Sequence, residues 1–260
     1  MLNYRDMSVP NHYIDRYIGQ RFEFKYLLDP ELAHQIEVYI QKIGLGRSEH
    51  SKNGPYIVNS LYFDTPLLGD HRDKDGSFLI RRKLRARIYQ NSWFTPVDKV
   101  WLEIKKKRNM NITKTRVRIN GAMWEKFITE SNPMHLTSEG LSGDDKQTME
   151  EFRYLYKRHL YRPHVVVRYL RTAYFGNFLS PVKITFDKNI QACFTGNAIA
   201  EKFMAPVSKG KVVLELKYNG KTPWWVADMI IRFNLKRVDF SKYRNSVAIL
   251  RGFYRIPINK

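Results

Sequence analysis

The sequence predicts an α+β protein, an eight-stranded antiparallel β-barrel with helices packed outside it. Two observations lead there. Stretches in which polar and apolar residues alternate recur along the chain, and each marks a strand with two unlike faces. Three of them, between Lys83 and Ile119, combine an apolar face with a strongly cationic one. Helical stretches lie between and around the strands, and a small barrel with a polar lumen can hold a ligand.

Residues 1–20 read as an irregular or partly helical lead-in. RFEFKYLL (21–28) sets Arg21, Glu23 and Lys25 on one face and Phe22, Phe24 and Tyr26 on the other. A helix follows, with Asp29 as N-cap, Pro30 at its first position, an apolar stripe of Leu32, Ile36, Tyr39, Ile40 and Ile43, and Gly44 as its stop. Residues 46–55 form a polar loop. YIVNSLYFDT (56–65) is β-rich and ends at Pro66, and HRDKDGSF (71–78) holds the hairpin signal Asp75-Gly76.

The cationic strands come next. KLRARIY (83–89) puts Lys83, Arg85, Arg87 and Tyr89 opposite Leu84, Ala86 and Ile88. WLEIKKK (101–107) puts Trp101, Glu103, Lys105 and Lys107 opposite Leu102, Ile104 and Lys106. KTRVRI (114–119) puts Lys114, Arg116 and Arg118 opposite Thr115, Val117 and Ile119. NGAMWEKFI (120–128) reads as a helix, 131–148 as a polar loop, and EEFRYLYKRHLY (150–161) as a helical stretch ended by Pro163. HVVVRYLRTAYF (164–175), VKITFDKNI (182–190) and KVVLELKYNG (211–220) are strands. The second of these shows Lys183, Thr185 and Asp187 on one face, and the third Val213, Glu215 and Lys217. Thr222-Pro223 opens a last amphipathic helix with Trp224, Trp225, Ala227, Met229, Ile230 and Phe233, and DFSKYRNSVAIL (239–250) closes the chain. With no repeat, low-complexity tract or linker, residues 1–260 read as a single domain.

Composition narrows the function. Apolar residues make up 43% and aromatics 14%, enough for a sizeable core. The net charge of +20 is spread along the chain, which points to a polyanion, a nucleic acid or an anionic membrane surface. The single cysteine, Cys193, excludes an internal disulfide and a cysteine zinc site, reads as a core residue and fits a reducing cytoplasm. No apolar signal region or transmembrane run occurs.

The cationic faces admit two readings. A solvated face over a buried apolar one is common in antiparallel sheets. Like charges opposite one another repel, however, so cations repeated on every strand fit a basic groove or tunnel that binds a polyanion, with Glu103 embedded in it. The chain lacks GxxxxGKS/T, GxGxxG, HExxH, GxSxG and CxxC, and His34 and His159 suit helix surfaces or caps better than metals. What remains is carboxylates on cation-rich strands: Glu23, Glu103, Asp187 and Glu215. Each could pair with a neighbouring base. Together they suit phosphate and a hard divalent ion, since Arg binds phosphate as a fork, Lys as a point charge, and carboxylates hold Mg²⁺ or Mn²⁺. Phosphoryl transfer asks a protein chiefly for positioning and charge.

RFEFKY, SLYFDT, KLRARIY, LEIKKK, RTAYF, ITFD, LELKY and FSKYRNS stand in the order found in the VTC domain, and the chain resembles that family over roughly residues 18–250. The VTC domain is the polyphosphate polymerase branch of the triphosphate tunnel metalloenzymes. The resemblance implies an eight-stranded tunnel lined by Arg, Lys and Glu. It also implies transfer of the γ-phosphate of ATP to polyphosphate with Mn²⁺ (or Mg²⁺), releasing ADP. By motif, it implies that Lys25, Lys105, Lys114, Arg116, Arg171, Lys183 and Lys242 bind phosphate, and that Arg85 and Arg87 grip the triphosphate. Arg85, Arg87, Lys105, Arg171 and Lys242 would carry catalysis, with Glu215 as the metal ligand. Two positions depart from the family's pattern. Arg21 stands where much of the superfamily has Glu, which leaves fewer carboxylates for a second metal. Lys183 stands where Arg is frequent, which keeps the charge and loses the fork. The resemblance further implies a stand-alone, bacterial version that would need a separate membrane partner to act at a membrane. Three alternatives stand beside the polymerase: hydrolysis of triphosphates in the same tunnel, a non-catalytic polyphosphate-binding module, and a nucleic-acid-binding domain. The last is weakened by the absence of sheet-based RNA motifs.

Overall fold

Alternation in the sequence becomes an antiparallel sheet, and the runs with helical spacing become helices. The computed structural model describes residues 21–72, 80–93, 95–108, 111–176, 181–195 and 204–253. The expected lead-in (1–20) and the Asp75-Gly76 turn lie outside the described residues. The elements are β1 (Arg21–Leu28), α1 (Pro30–Lys42), β2 (Gly46–Arg47), β3 (Tyr56–Asp64), α2 (Gly69–Arg72), β4 (Ile80–Ile88), β5 (Lys99–Arg108) and β6 (Asn111–Asn120). Then come α3 (Gly121–Glu130), α4 (Gly143–Arg158), β7 (Arg162–Gly176), β8 (Val182–Phe194), β9 (Ala205–Pro206), β10 (Val212–Asn219), α5 (Trp224–Arg232) and α6 (Lys242–Phe253). No described helix is long and apolar enough to cross a membrane.

These elements form two compact units, and β7 and β8 contribute residues to both. The first holds residues through Pro55, Thr172–Asp187 and Lys211–Asp239. In it β1 pairs with β10, and β10 with the start of β8. α1 forms where expected. Pro30 costs nothing in a first turn whose N–H groups are unpaired, and Gly44 takes φ 89° just past the end. Ala33, Ile36 and Ile40 of α1 and Trp225, Val226 and Met229 of α5 bury the apolar residues of the three strands, among them Tyr26, Ile184, Phe186, Leu214 and Leu216. Trp224, expected on the apolar face of α5, is instead exposed. It is the first residue of α5 and, at 100° per residue, points away from the direction that Trp225, Val226 and Met229 share.

The second unit holds Tyr56–Arg171, Lys188–Gly210 and the chain from Phe240. Its strands pair antiparallel in the order β7-β3-β4-β5-β6, and β9 pairs with β8. One face carries Leu61, Phe63, Leu84, Ala86, Ile88, Leu102, Ile104, Val117 and Ile119, covered by Trp124 and Phe127 of α3 and Phe152, Leu155 and Tyr156 of α4. Each buried Val, Leu, Ile or Phe among them contributes roughly 1.5–3 kcal/mol of hydrophobic burial. Cys193 belongs to this core, as expected. Lys106 leaves the apolar face and pairs with Glu151 of α4, and His159 caps α4.

The largest departures from the sequence reading are two helices, while the short β2 falls in the stretch read as loop and the short α2 runs into the one read as a turn. α4 begins at Gly143, inside the stretch expected as loop, with Asp144 and Asp145 in a first turn that favours carboxylates. The closing segment becomes α6, on which Tyr243, Val247 and Leu250 are buried at spacings of four and three. Pro163 stands inside β7, where the register with β3 shifts between Tyr62 and Phe63, a place that tolerates a missing N–H. The described pairing is open, since β1 and β6 each have one strand neighbour among the described residues.

A close approach makes Gly121 irreplaceable at the start of α3. A Cβ there would stand 1.7 Å from the Val97 carbonyl oxygen. Gly121→Ala is expected to cost about 2 kcal/mol or more by displacing that backbone. A thermal unfolding midpoint equal to wild type would contradict this.

Candidate phosphate-binding site

Strand register turns the polar faces of β3 to β6 into ranks of side chains. Ser60, Arg87, Trp101 and Arg118 stand abreast, as do Tyr62, Arg85, Glu103 and Arg116, and then Lys83, Lys105 and Lys114. The repulsion expected in such an array is answered at one point. Glu103, 1% exposed, pairs with Arg85 through Nε, with Lys114 at 2.6 Å and with Arg87 at 3.7 Å. These three cations hold its carboxyl well below the usual carboxylate range, against the burial that would raise it. Glu103 is thus a fixed anion that sets the surrounding bases in place.

The guanidinium of Arg85 also donates through Nη1 to the Tyr62 hydroxyl at 3.2 Å. Two of its five N–H groups are then used, and three remain for a ligand. Arg87 is almost fully buried and donates to Ser60 Oγ at 3.3 Å. Burial raises the Tyr62 phenol, but Arg85, Arg87 and Lys242 outweigh it and draw it down to about 8. Burial, helped by Arg85 and Arg87 and opposed by Glu103, pulls the Lys114 ammonium down to about 7, although a third of its side chain is exposed.

Tyr169 of β7 holds two more expected residues, with the Arg171 guanidinium 5.2 Å and the Lys242 ammonium 4.8 Å from its ring centroid. Lys83 bonds Ser241 Oγ at 3.2 Å. Arg116 is exposed, its guanidinium 4.6 Å from the Trp101 ring. The second unit therefore gathers Arg85, Arg87 and Lys114 around Glu103 and Arg171 and Lys242 around Tyr169, with Lys105 in register with Lys83 and Lys114 and Arg116 on the exposed rim. Sequence reasoning did not assign Tyr62, whose role depends on cations from β4 and α6, or Tyr169, which meets Arg171 of its own strand and Lys242 of α6. It read Glu103 as one of four carboxylates that together suit phosphate and a divalent ion, not as the anchor of the cationic cluster.

The remaining expected residues lie in the first unit. There Lys25, Glu215 and Thr185 stand abreast, next to the rank of Glu23, Lys217 and Lys183. Glu215 is buried and pairs with Lys217 at 2.7 Å, and Glu23 pairs with Lys25 at 3.3 Å. Lys183 is exposed.

A family model described as the VTC domain matches residues 20–251. The chain belongs to the VTC domain family. Among solved structures it is similar to a Hippeastrum protein titled an adenylyl cyclase candidate with dominant triphosphatase activity. The identity is 14%, the TM-score 0.50, and the match covers 91% of this chain and 98% of that one. An adenylate cyclase candidate from Bacillus halodurans matches at 10% identity and TM-score 0.47, over 86% of this chain and 94% of that one. The Hippeastrum likeness shows a shared fold. No curated protein matches the chain.

The donor set of this VTC domain fits a hard divalent cation in kind. Glu215, Glu23 and Asp187 present carboxylates on one face of the first unit, and the buried Thr185 hydroxyl, in register with Glu215, has no hydrogen-bond partner among the described residues. No three His, Cys, Asp or Glu side chains converge among the described residues. An ion held by Glu215 would therefore take most of its ligands from substrate oxygens and water.

The shifted Lys114 predicts a pH dependence. A lowered Lys114 is charged below about 7 and neutral above it. Tripolyphosphate, titrated calorimetrically without metal, should therefore bind wild type better than Lys114→Gln below pH 7, and the difference should shrink towards pH 9. Comparison at equal pH cancels the ligand's own titration. A constant difference from pH 6 to 9 would contradict the assignment.

Proposed function

We propose that this VTC domain is a polyphosphate polymerase that moves the γ-phosphate of ATP onto a polyphosphate chain, with Mn²⁺ or Mg²⁺, and releases ADP. The observation that carries the reading is the Arg85–Arg87–Lys114 cluster fixed around a single buried carboxylate, which leaves cationic donors in excess of what the protein itself neutralises. The family match, which spans residues of both units, supports treating them as one functional domain.

In this reading a terminal oxygen of the chain attacks the γ-phosphorus, a new P–O bond forms, and the bond to the β–γ bridging oxygen breaks. The protein supplies no nucleophile. Arg85 and Arg87 orient the triphosphate and stabilise charge on the transferring group through the remaining N–H groups of guanidiniums that Glu103, Tyr62 and Ser60 hold in place. Lys105, Lys114, Arg116, Arg171 and Lys242 hold nucleotide or polymer phosphates, and Lys25 and Lys183 add charge in the first unit. A bound divalent ion would neutralise the nucleotide phosphates, and Glu215 would hold it. A reducing cytoplasm suits the lone buried Cys193.

A second reading, a module that binds polyphosphate without turnover, is favoured by the pairing of Lys217 on Glu215. Purified protein incubated with ATP and Mn²⁺ beside Glu215→Gln separates the two. The polymerase gives ADP and a ladder of lengthening polymer in wild type, and the variant loses at least about a hundredfold in rate. Orthophosphate without a ladder would mean a phosphohydrolase. Tight polyphosphate binding without turnover would mean the binding module, and wild-type activity in the variant would overturn the metal role.

A further inference from the structure

The end of β3 and the start of α6 are joined by a buried carboxylate for which the phosphate chemistry gives no use. Asp64, 1% exposed, accepts backbone N–H groups from Thr65 at 2.7 Å, Asp70 at 3.0 Å and His71 at 3.1 Å. It also accepts the hydroxyl of Tyr243. Its neighbour Asp70 accepts the hydroxyl of Tyr161 at 2.8 Å. Burial and Asp64 push the Tyr243 phenol far up, so it remains a proton donor at any working pH.

Tyr243 is the second residue of α6, and its ring is placed as firmly as its hydroxyl. It stacks on Tyr62 with centroids 5.1 Å apart and planes at 26°. The Lys83 ammonium lies 5.1 Å from its centroid, and that same ammonium bonds Ser241, just ahead of the helix. Ser241 and Asn245 bond each other through the first turn. Between Ser241 and Tyr243 stands Lys242, 4.8 Å from the Tyr169 ring. A lysine carries four rotatable bonds, so its ammonium reaches a defined place only when its backbone is also held.

We propose that Asp64 is a positioning residue: through the hydroxyl of Tyr243 it fixes the first turn of α6 and so holds Lys242 at the phosphate site. The inference rests on the proposed reading that this site binds phosphate chains. Asp64 touches no ligand. It acts because three backbone N–H groups hold its carboxylate rigid and one phenol transmits that position to the helix.

The test is a double-mutant cycle read by calorimetric titration of tripolyphosphate. Tyr243→Phe removes the hydroxyl and keeps the ring, and should weaken binding about tenfold, as should Asp64→Asn. Added to Lys242→Ala, Tyr243→Phe should cost almost nothing more, because the residue it positions is gone. Full additivity, or unchanged binding by Tyr243→Phe, would overturn the proposal. A second measurement needs no ligand. Labelling of Lys242 by an acylating reagent well below both melting temperatures, followed by peptide mass spectrometry, should run several-fold faster in Tyr243→Phe, and an unchanged rate would again overturn the proposal. Should Asp64→Asn fail to fold, Tyr243→Phe carries both measurements. Failure of wild type to bind tripolyphosphate would count against the phosphate reading alone, and the labelling would still decide the positioning.

Discussion

Glu103→Gln should unfold at markedly lower denaturant than wild type, with a loss on the order of 3–5 kcal/mol. The cause is the uncompensated charge left behind. Arg85, Arg87 and Lys114 converge on this one carboxylate. An amide keeps the shape and one acceptor but removes the only anion in that rank of the sheet. The sign of the pH dependence follows from the depressed carboxyl. A carboxylate whose folded pKa is lowered contributes stability that is present above its unfolded pKa, about 4.3, and is lost as pH falls through the folded value. The gap between wild type and Glu103→Gln should therefore hold from neutral pH to about 4 and close only below it. Tripolyphosphate should raise the midpoint of the variant more than that of wild type, since an anion in the site replaces the missing charge. Equal denaturation midpoints at pH 7 would show that the cluster tolerates its own repulsion.

Arg85→Ala should retain the fold and lose the ligand. Glu103 keeps Lys114 and Arg87 when Arg85 is removed, so no buried carboxylate is orphaned. What goes is a fork with three unused N–H groups, and tripolyphosphate affinity should fall by about 2–3 kcal/mol, roughly 30- to 150-fold. Arg85→Lys should recover only part of this, because an ammonium restores charge without the fork. The same variant has an optical readout. Arg85 is the largest of the cations that lower the Tyr62 phenol, so its removal should move the tyrosinate absorbance step upward from about 8. Wild-type affinity in Arg85→Ala would remove this residue from the site.

Much of this was legible in the chain because strand chemistry is local. The parity of KLRARIY, WLEIKKK and KTRVRI already separates the Leu84–Leu102–Val117 face from the Arg85–Glu103–Arg116 face, and the register only adds who stands beside whom. α1 was legible for the same reason, with Pro30 and Gly44 marking its ends. α6 was not, because its first turn is polar except for Tyr243 and its apolar run, Val247 to Leu250, is too short to separate helix from strand. The signal present, Tyr243, Val247 and Leu250 at helical spacing, became decisive only with Asp64 in place to receive Tyr243. Tyr62 and Lys114 were illegible in a stronger sense. Their protonation is set by cations from other strands and from α6, and no window of sequence contains that sum. Glu103 lies between, visible as a lone acid among bases, with a role that appears only when three cations are found on its two oxygens.

The most direct test of polymerase function follows the transferred atom. Wild-type protein is given ATP labelled at the γ-phosphate, Mn²⁺ and a short polyphosphate primer, and the products are separated by length. The account predicts label in polymer longer than the primer, matched one for one by ADP. Label recovered only as orthophosphate, or left in ATP while the primer stays bound, would contradict it.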